Sequence, residues 1–181
     1  MRVIGRLMAL GLTAGLWACA PTAPVPPDPA RCFALFEQLD RAERLFPRYR
    51  ADRLSDTVVQ NPRVARVAQD IRQARCTTSV TDLSGTDALA AELAPFARVS
   101  GGGPPDSSAL QVGIVDGISA EVRAATFFGG LGYRYRSTGT EGLGRRIFIG
   151  PMRSEAEMQQ AMEIARRAGF VAPYPARYTR F

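Results

Sequence analysis

The sequence has no histidine and no lysine; all 23 basic residues are arginine, and Asn61 is the only asparagine. The missing histidine removes the commonest general base, the commonest metal ligand and the usual pH switch near neutrality. Catalysis would have to rest on carboxylate, serine or cysteine, and no carboxylate pair is placed for acid–base work on a sugar. Glu141 falls in a turn, Glu155 and Glu157 at a helix start, and Glu163 on a polar helix face. The chain is therefore read as non-catalytic, without cofactor or metal. Long apolar stretches are also lacking: the run from Leu7 to Trp17 is too short for a comfortable membrane span.

That run does have a reading. In "MRVIGRLMALGLTAGLWACAPTAP" the residues Arg2 and Arg6 precede the apolar stretch, and small residues surround Cys19, which is the layout of an export signal over residues 1–18. Leu16-Trp17-Ala18-Cys19 resembles a bacterial lipobox, although Trp17 stands where a small residue is usual. The resemblance implies that Cys19 carries lipid, and Ala20, in place of an aspartate, implies an outer-membrane lipoprotein facing the periplasm. The proline-rich residues 19–30 then read as a tether.

Lipidation of Cys19 leaves two of the three cysteines, Cys32 and Cys76, in an oxidising compartment. Leu35, Leu39, Ala42, Phe46 and Tyr49 fall at helical spacing. So do Val64, Val67, Ala68 and Ile71, after Asn61-Pro62, a cap followed by proline at the first helical position. Two helices joined by the "RADRLSDTVVQ" connection run antiparallel, which brings Cys32 beside Cys76 and predicts a disulfide. Closing that loop stabilises the hairpin by roughly 4 kcal/mol in the chain-entropy model. A metal or redox pair is disfavoured, because no further ligands are spaced nearby. Thr86 or Asp87 caps a short helix bearing Leu89, Leu93 and Phe96, ended at Pro95. The helical segment thus covers 31–98, and the Gly-Gly-Gly-Pro-Pro stretch at 99–108 reads as a linker.

From Ala109 the period changes. "ALQVGIV" alternates as a half-buried strand. Ser119 caps a helix reaching about Gly130, with Val122, Ala125 and Phe128 inward; "YRYRST" alternates again. In "RRIFIG" Ile147 and Ile149 face one way, Arg146 and Phe148 the other, and Gly150-Pro151 ends the strand. Ser154 with Glu157 forms a capping box ahead of the stripe Met158, Ala161, Met162, Ala165 and Ala168, and the helix stops at Gly169. "ARYTRF" supplies the last strand. The order βαββαβ predicts an α+β, ferredoxin/RNP-like unit over 109–181: a four-stranded antiparallel sheet with two helices on one face and the other face free.

"LQVGIV" and "RRIFIGPMRSEAEMQQAMEIARRAGF", in that order, resemble the two halves of a SPOR (sporulation-related repeat) domain. Phe127-Phe128-Gly129-Gly130 departs from the longer leucine-bearing helix usual there, and Met152 stands where an aromatic often follows Gly-Pro. The resemblance covers 109–181 and implies binding to peptidoglycan glycan strands stripped of stem peptides, through the free sheet face, with division sites as one location it suggests. Arginine suits the lactyl carboxylates of such strands, glutamine their acetamido and hydroxyl groups, and aromatic rings their C–H faces. The site residues are Gln111, Arg146 and Phe148, joined by Arg134, Tyr135 and Arg136, for which alternation leaves open whether the arginines or the tyrosines face the helices. The charge distribution agrees, since residues 110–181 carry ten arginines against six acids. Two alternatives stand beside this reading. One is a protein-binding envelope adaptor working through the hairpin. The other is an RRM-like module, disfavoured by the aromatic spacing of the third strand and by export, so no nucleic-acid partner is expected.

Overall fold

A computed structural model of the chain describes residues 26–45, 61–97, 108–140 and 142–176. Expectations for Cys19 and its signal, for Phe46 and Tyr49, for most of the 99–108 linker and for the end of the last strand lie outside these residues. The elements are α1 (Pro29–Leu45), α2 (Pro62–Gln73), β1 (Thr77–Thr78), α3 (Thr86–Leu93) with a 3-10 turn (Ala94–Phe96), β2 (Ser108–Val115), α4 (Ile118–Gly130), β3 (Arg134–Thr140), β4 (Gly144–Met152), α5 (Glu155–Arg167) and β5 (Tyr174–Ala176).

The protein is α+β with a five-stranded mixed sheet. The strand order is β1-β2-β4-β3, and β5 also pairs with β2. Two short strands therefore share one side of β2. β5 runs antiparallel to its beginning, with Gln111 opposite Tyr174, and β1 runs parallel to its end, with Thr77 opposite Ile114. Among the described residues β3 forms the other edge, paired to β4. The expected four-stranded antiparallel sheet is thus corrected by β1, a strand too short to leave a periodic signal. β4 also runs past Gly150-Pro151 to Met152.

The helix termini follow from local chemistry. Asn61 caps α2 by accepting from the Arg63 N–H at 2.9 Å, with Pro62 at the first position. The Ser154 Oγ accepts from the Glu157 N–H at 3.2 Å, while the Glu157 carboxylate accepts from the Arg153 N–H. α5 ends on Gly169 at φ 103°, with Gly169 N–H donating to the Arg166 carbonyl and Phe170 N–H to Ala165. A Cβ at Gly169 would stand 2.5 Å from the Asp82 carbonyl oxygen, so only glycine lets the helix exit lie on the β1–α3 connection. α2 ends in the same bond pattern, with Arg75 at φ 54° in the left-handed position, and this turn delivers Cys76 to Cys32. The predicted disulfide is formed, its Cα atoms 5.4 Å apart.

Two cores result. α4 and α5 cover one face of the sheet through Ala120, Ala124, Phe127, Phe128, Met158, Ala161 and Ala165, against Leu110, Val112, Ile147 and Ile149. The inward stripe of α4 is turned from the expected one. Small Ala120 and Ala124 let the helix close on the sheet, whereas Val122 is 57% exposed, and the residue preceding the helix is Gly117, with Ser119 inside the first turn. Leu83, Leu89 and Leu93 join this same core, so the stretch at 99–108 separates two lengths of chain within one packed body. The second core lies on the opposite sheet face, between the sheet and the hairpin of α1 and α2.

Candidate functional site

The hairpin-side face of the sheet carries a row of side chains in register. From β5 to β3 it reads Tyr174, Gln111, Phe148, Arg136, and the next row holds Ile114, Arg146 and Thr138. Gln111, Arg146 and Phe148 do share one face, as strand alternation requires. The expectation that this face is free is overturned. Gln111 is 2% exposed, Arg146 5% and Phe148 9%, and α1 lies over this face, with Asp40 and Glu43 on Arg146 and Phe33 and Phe36 on Tyr174.

The cover is built by apolar side chains. Cys32, Leu35, Phe36, Leu39 and Ala42 of α1, with Val64, Ala68 and Ile71 of α2, form one cluster with Ile114, Leu143, Ala172 and Tyr174. Phe36 stacks on Tyr174 at 6.3 Å, and Phe33 meets the same ring edge-on at 5.3 Å. Lifting the hairpin would re-expose Leu35, Phe36, Leu39, Val64 and Ile71, a cost of about 10 kcal/mol as an upper estimate. A micromolar ligand supplies about 8 kcal/mol. The two are of the same order, and with the hairpin closed the three sealed residues act as core.

Within that core sits a polar knot. Asp40 of α1 accepts from Arg146 Nη1 through one oxygen and from the Tyr174 hydroxyl, 3.1 Å away, through the other. Glu43 Oε2 stands 3.2 Å from Arg146 Nη2, close enough for an ion pair though outside hydrogen-bond geometry. Gln111 Nε2 and Arg146 Nε are buried donors without a partner among the described residues. Burial, and after it the Asp40 charge, pushes the Tyr174 hydroxyl above its ordinary value. Tyr174 was missed by sequence reading, which began the last strand two residues later; its alternation with Ala176 next to a proline is too short a pattern to detect.

The second strand separates cleanly. Tyr135 lies opposite Ile149, on the α4 face, where its hydroxyl is 3.5 Å from Glu121 Oε1. Its assignment to the glycan face is therefore corrected. Burial, with Glu121 second, raises its hydroxyl also. Glu121 is held further by Ser137 and by Arg145, whose Nε is 2.8 Å away. Arg134 and Arg136 stand on the hairpin side of the sheet and are exposed, beyond the cover, on an edge strand.

A separate surface feature escaped the sequence reading. Val80, Ala90, Ala94, Ile118, Val122 and Phe127 line an open groove of about 640 Å³ between α3 and α4, and Ile118 is 71% exposed. The signal was available in Ile118 and Val122, one turn apart on a helix whose inward stripe is alanine and phenylalanine. Among the described residues no group of three or more His, Cys, Asp or Glu side chains is placed to hold a metal, and no helix is long and apolar enough to cross a membrane. No protein-family model, no curated protein and no solved structure matches the chain.

Proposed function

We propose that the chain is a non-catalytic envelope lipoprotein with a SPOR-like βαββαβ unit, and that it docks on anionic wall glycan through the exposed arginines of β3. The ligand class comes from the motif resemblance and from the suitability of arginine for lactyl carboxylates. The observation that moves the contact to this edge is the burial of Gln111, Arg146 and Phe148 on the face that carries the hairpin, where Arg134 and Arg136 of β3 are exposed. They are two residues apart on one face, about 7 Å along the strand. Among the described residues no strand pairs with the outer edge of β3, an edge whose backbone can meet hydroxyl and acetamido groups. The same cover weighs against an RNA module, whose stacking aromatics would have to stand open on the sheet.

Retention of the processed chain on purified sacculi, with and without amidase treatment, tests the reading. Greater retention on amidase-treated sacculi is expected, with about a tenfold loss in Arg134→Ala/Arg136→Ala. Negligible retention on both preparations rejects glycan binding. Retention that appears only in Cys32→Ser/Cys76→Ser/Asp40→Asn would return the contact to the covered face.

A second reading is favoured by the α3–α4 groove: a protein-binding envelope adaptor. The hairpin expected to do that work has its apolar side committed to the sheet, so the groove takes its place. Ile118→Asp/Val122→Asp should abolish partner capture while leaving sacculus retention unchanged.

A further inference from the structure

The outer side of α4 carries no charge. Both charged residues of the helix are committed to neighbours, Glu121 to Ser137 and Arg145, and Arg123 to Asp87. Ile118, Val122, Thr126 and Gly130 follow one another at a spacing of four, and all four are exposed and line the α3–α4 groove. A solvated helix face is ordinarily polar and charged. This ridge instead tapers from a large apolar side chain, 71% exposed at Ile118, to a glycine.

The glycine at the far end is not required by the fold of one copy. The turn that ends α4 is made by Gly132, at φ 81°, whose N–H donates to the Gly129 carbonyl while the Tyr133 N–H donates to that of Phe128. Gly130 lies within the helix, where glycine is a weak former, and a Cβ built on it meets no neighbouring atom within 4 Å. One end of the ridge is thus a knob and the other an open space.

Laid antiparallel against the same ridge of a second copy, as when i±4 ridges of two helices run side by side, it sets Ile118 against Gly130 of the second copy and Val122 against Thr126. Both pairs are centred on the same point of the helix. One two-fold axis therefore serves them, and each contact recurs with the roles reversed, as an isologous interface requires. Charge points to the same partner. The chain carries a net +6, so two copies repel over their surfaces in general, but the charged residues lining the groove, Asp87 and Arg123, pair with each other. The ridge also lies on the sheet face opposite Arg134 and Arg136, so occupying it leaves them exposed.

We propose that the chain forms a symmetric dimer in which α4 packs antiparallel on α4 of a second copy through Ile118, Val122, Thr126 and Gly130. The inference rests on the α3–α4 groove being a protein-binding surface and names its occupant. Residues 19–181 with Cys19→Ser keep every described element and carry no lipid. Their sedimentation over a concentration series should show a monomer–dimer equilibrium that salt strengthens by screening like charge. Ile118→Asp/Val122→Asp should leave only monomer. Gly130→Ile should raise the dissociation constant at least tenfold without lowering the denaturation midpoint of dilute protein, and adding Ile118→Gly to it should restore association by exchanging knob and space. A monomer at every concentration up to about 1 mM, a dimer indifferent to Gly130→Ile, no restoration by the exchange, or association that salt weakens would each overturn the proposal. A chain that stays monomeric yet captures another protein through Ile118 and Val122 would also overturn it, while leaving the adaptor reading of the groove intact. Loss of neither self-association nor capture in Ile118→Asp/Val122→Asp would remove both.

Discussion

The two faces of the sheet are both covered, but by different chemistry. On one side α4 and α5 meet Leu110, Val112, Ile147 and Ile149 with alanine, methionine and phenylalanine, and the aromatic rings interlock: Phe128 lies 4.9 Å from Phe127, 5.9 Å from Phe170 and 6.2 Å from Tyr133. On the other side α1 packs beside a polar group of Arg146, Gln111, Asp40 and the Tyr174 hydroxyl, in which three donors, Gln111 Nε2 and Arg146 Nε and Nη2, lack a hydrogen bond among the described residues. An ordinary core avoids such groups, since an unsatisfied buried donor costs about 1–3 kcal/mol. An ordinary binding face is not sealed by leucine and phenylalanine. The hairpin face combines the side chains of a polar recognition surface with the packing of a core, and Asp40 and Glu43 supply to Arg146 the carboxylates that a ligand would.

The largest difference should appear on the apolar face. Phe128→Ala removes a side chain with no exposure and three ring neighbours, and should cost about 3–5 kcal/mol in chemical denaturation. A cost under 1 kcal/mol would mean that this face is as adaptable as its opposite, and the contrast would be lost.

The hairpin face should respond to charge rather than volume. Asp40→Asn removes the negative charge facing Arg146 and turns one of the two acceptor oxygens into a donor, so that only one of Arg146 and the Tyr174 hydroxyl keeps an acceptor; it should cost about 2–3 kcal/mol, below the full value for a buried pair because the Asp40 side chain is 21% exposed. Replacing the whole knot, in Arg146→Met/Asp40→Leu/Glu43→Leu, should restore stability to within about 1 kcal/mol of the parent or exceed it. If the triple variant is instead the least stable, the knot is a positive source of stability and its resemblance to an occupied binding site has no energetic content.

Much of each element was readable from residues alone, because caps and stripes are local. Asn61-Pro62, Ser154 with Glu157, and the Cys32–Cys76 pairing all follow from short-range chemistry, and Ile147 and Ile149 part from Arg146 and Phe148 by alternation. What covers a face is not local. Polar Gln111 and Arg146 read as solvent-facing because alternation reports which side is apolar and is silent about what a polar side meets. One clue was present: α1 carries Cys32 and Phe36 beside Leu35, Leu39 and Ala42, an arc wider than contact with α2 alone would use. The turned stripe of α4 misled for the reverse reason, since Val122 and Phe128 are larger than Ala120 and Ala124 and look like the better core residues.

The smallest effect compares the faces through one residue on each. Tyr174 on the hairpin side and Tyr135 on the α4 side both have hydroxyls raised above the ordinary tyrosine value near 10, first by burial and then by a neighbouring carboxylate. In each case the folded protein holds the proton more tightly than the unfolded chain. The resulting stability is fully present below about pH 10 and is lost as the pH rises through the range where only the unfolded chain ionises. At about pH 11 the loss attributable to Tyr174 should be about 1 kcal/mol, and that from the less deeply buried Tyr135 smaller. Tyr174→Phe should be less stable than the parent at neutral pH, having lost its bond to Asp40, yet show a shallower alkaline decline, whereas Tyr135→Phe should change that slope little. An unaltered decline in Tyr174→Phe would mean that its hydroxyl reaches water, and with it that the hairpin does not seal the sheet.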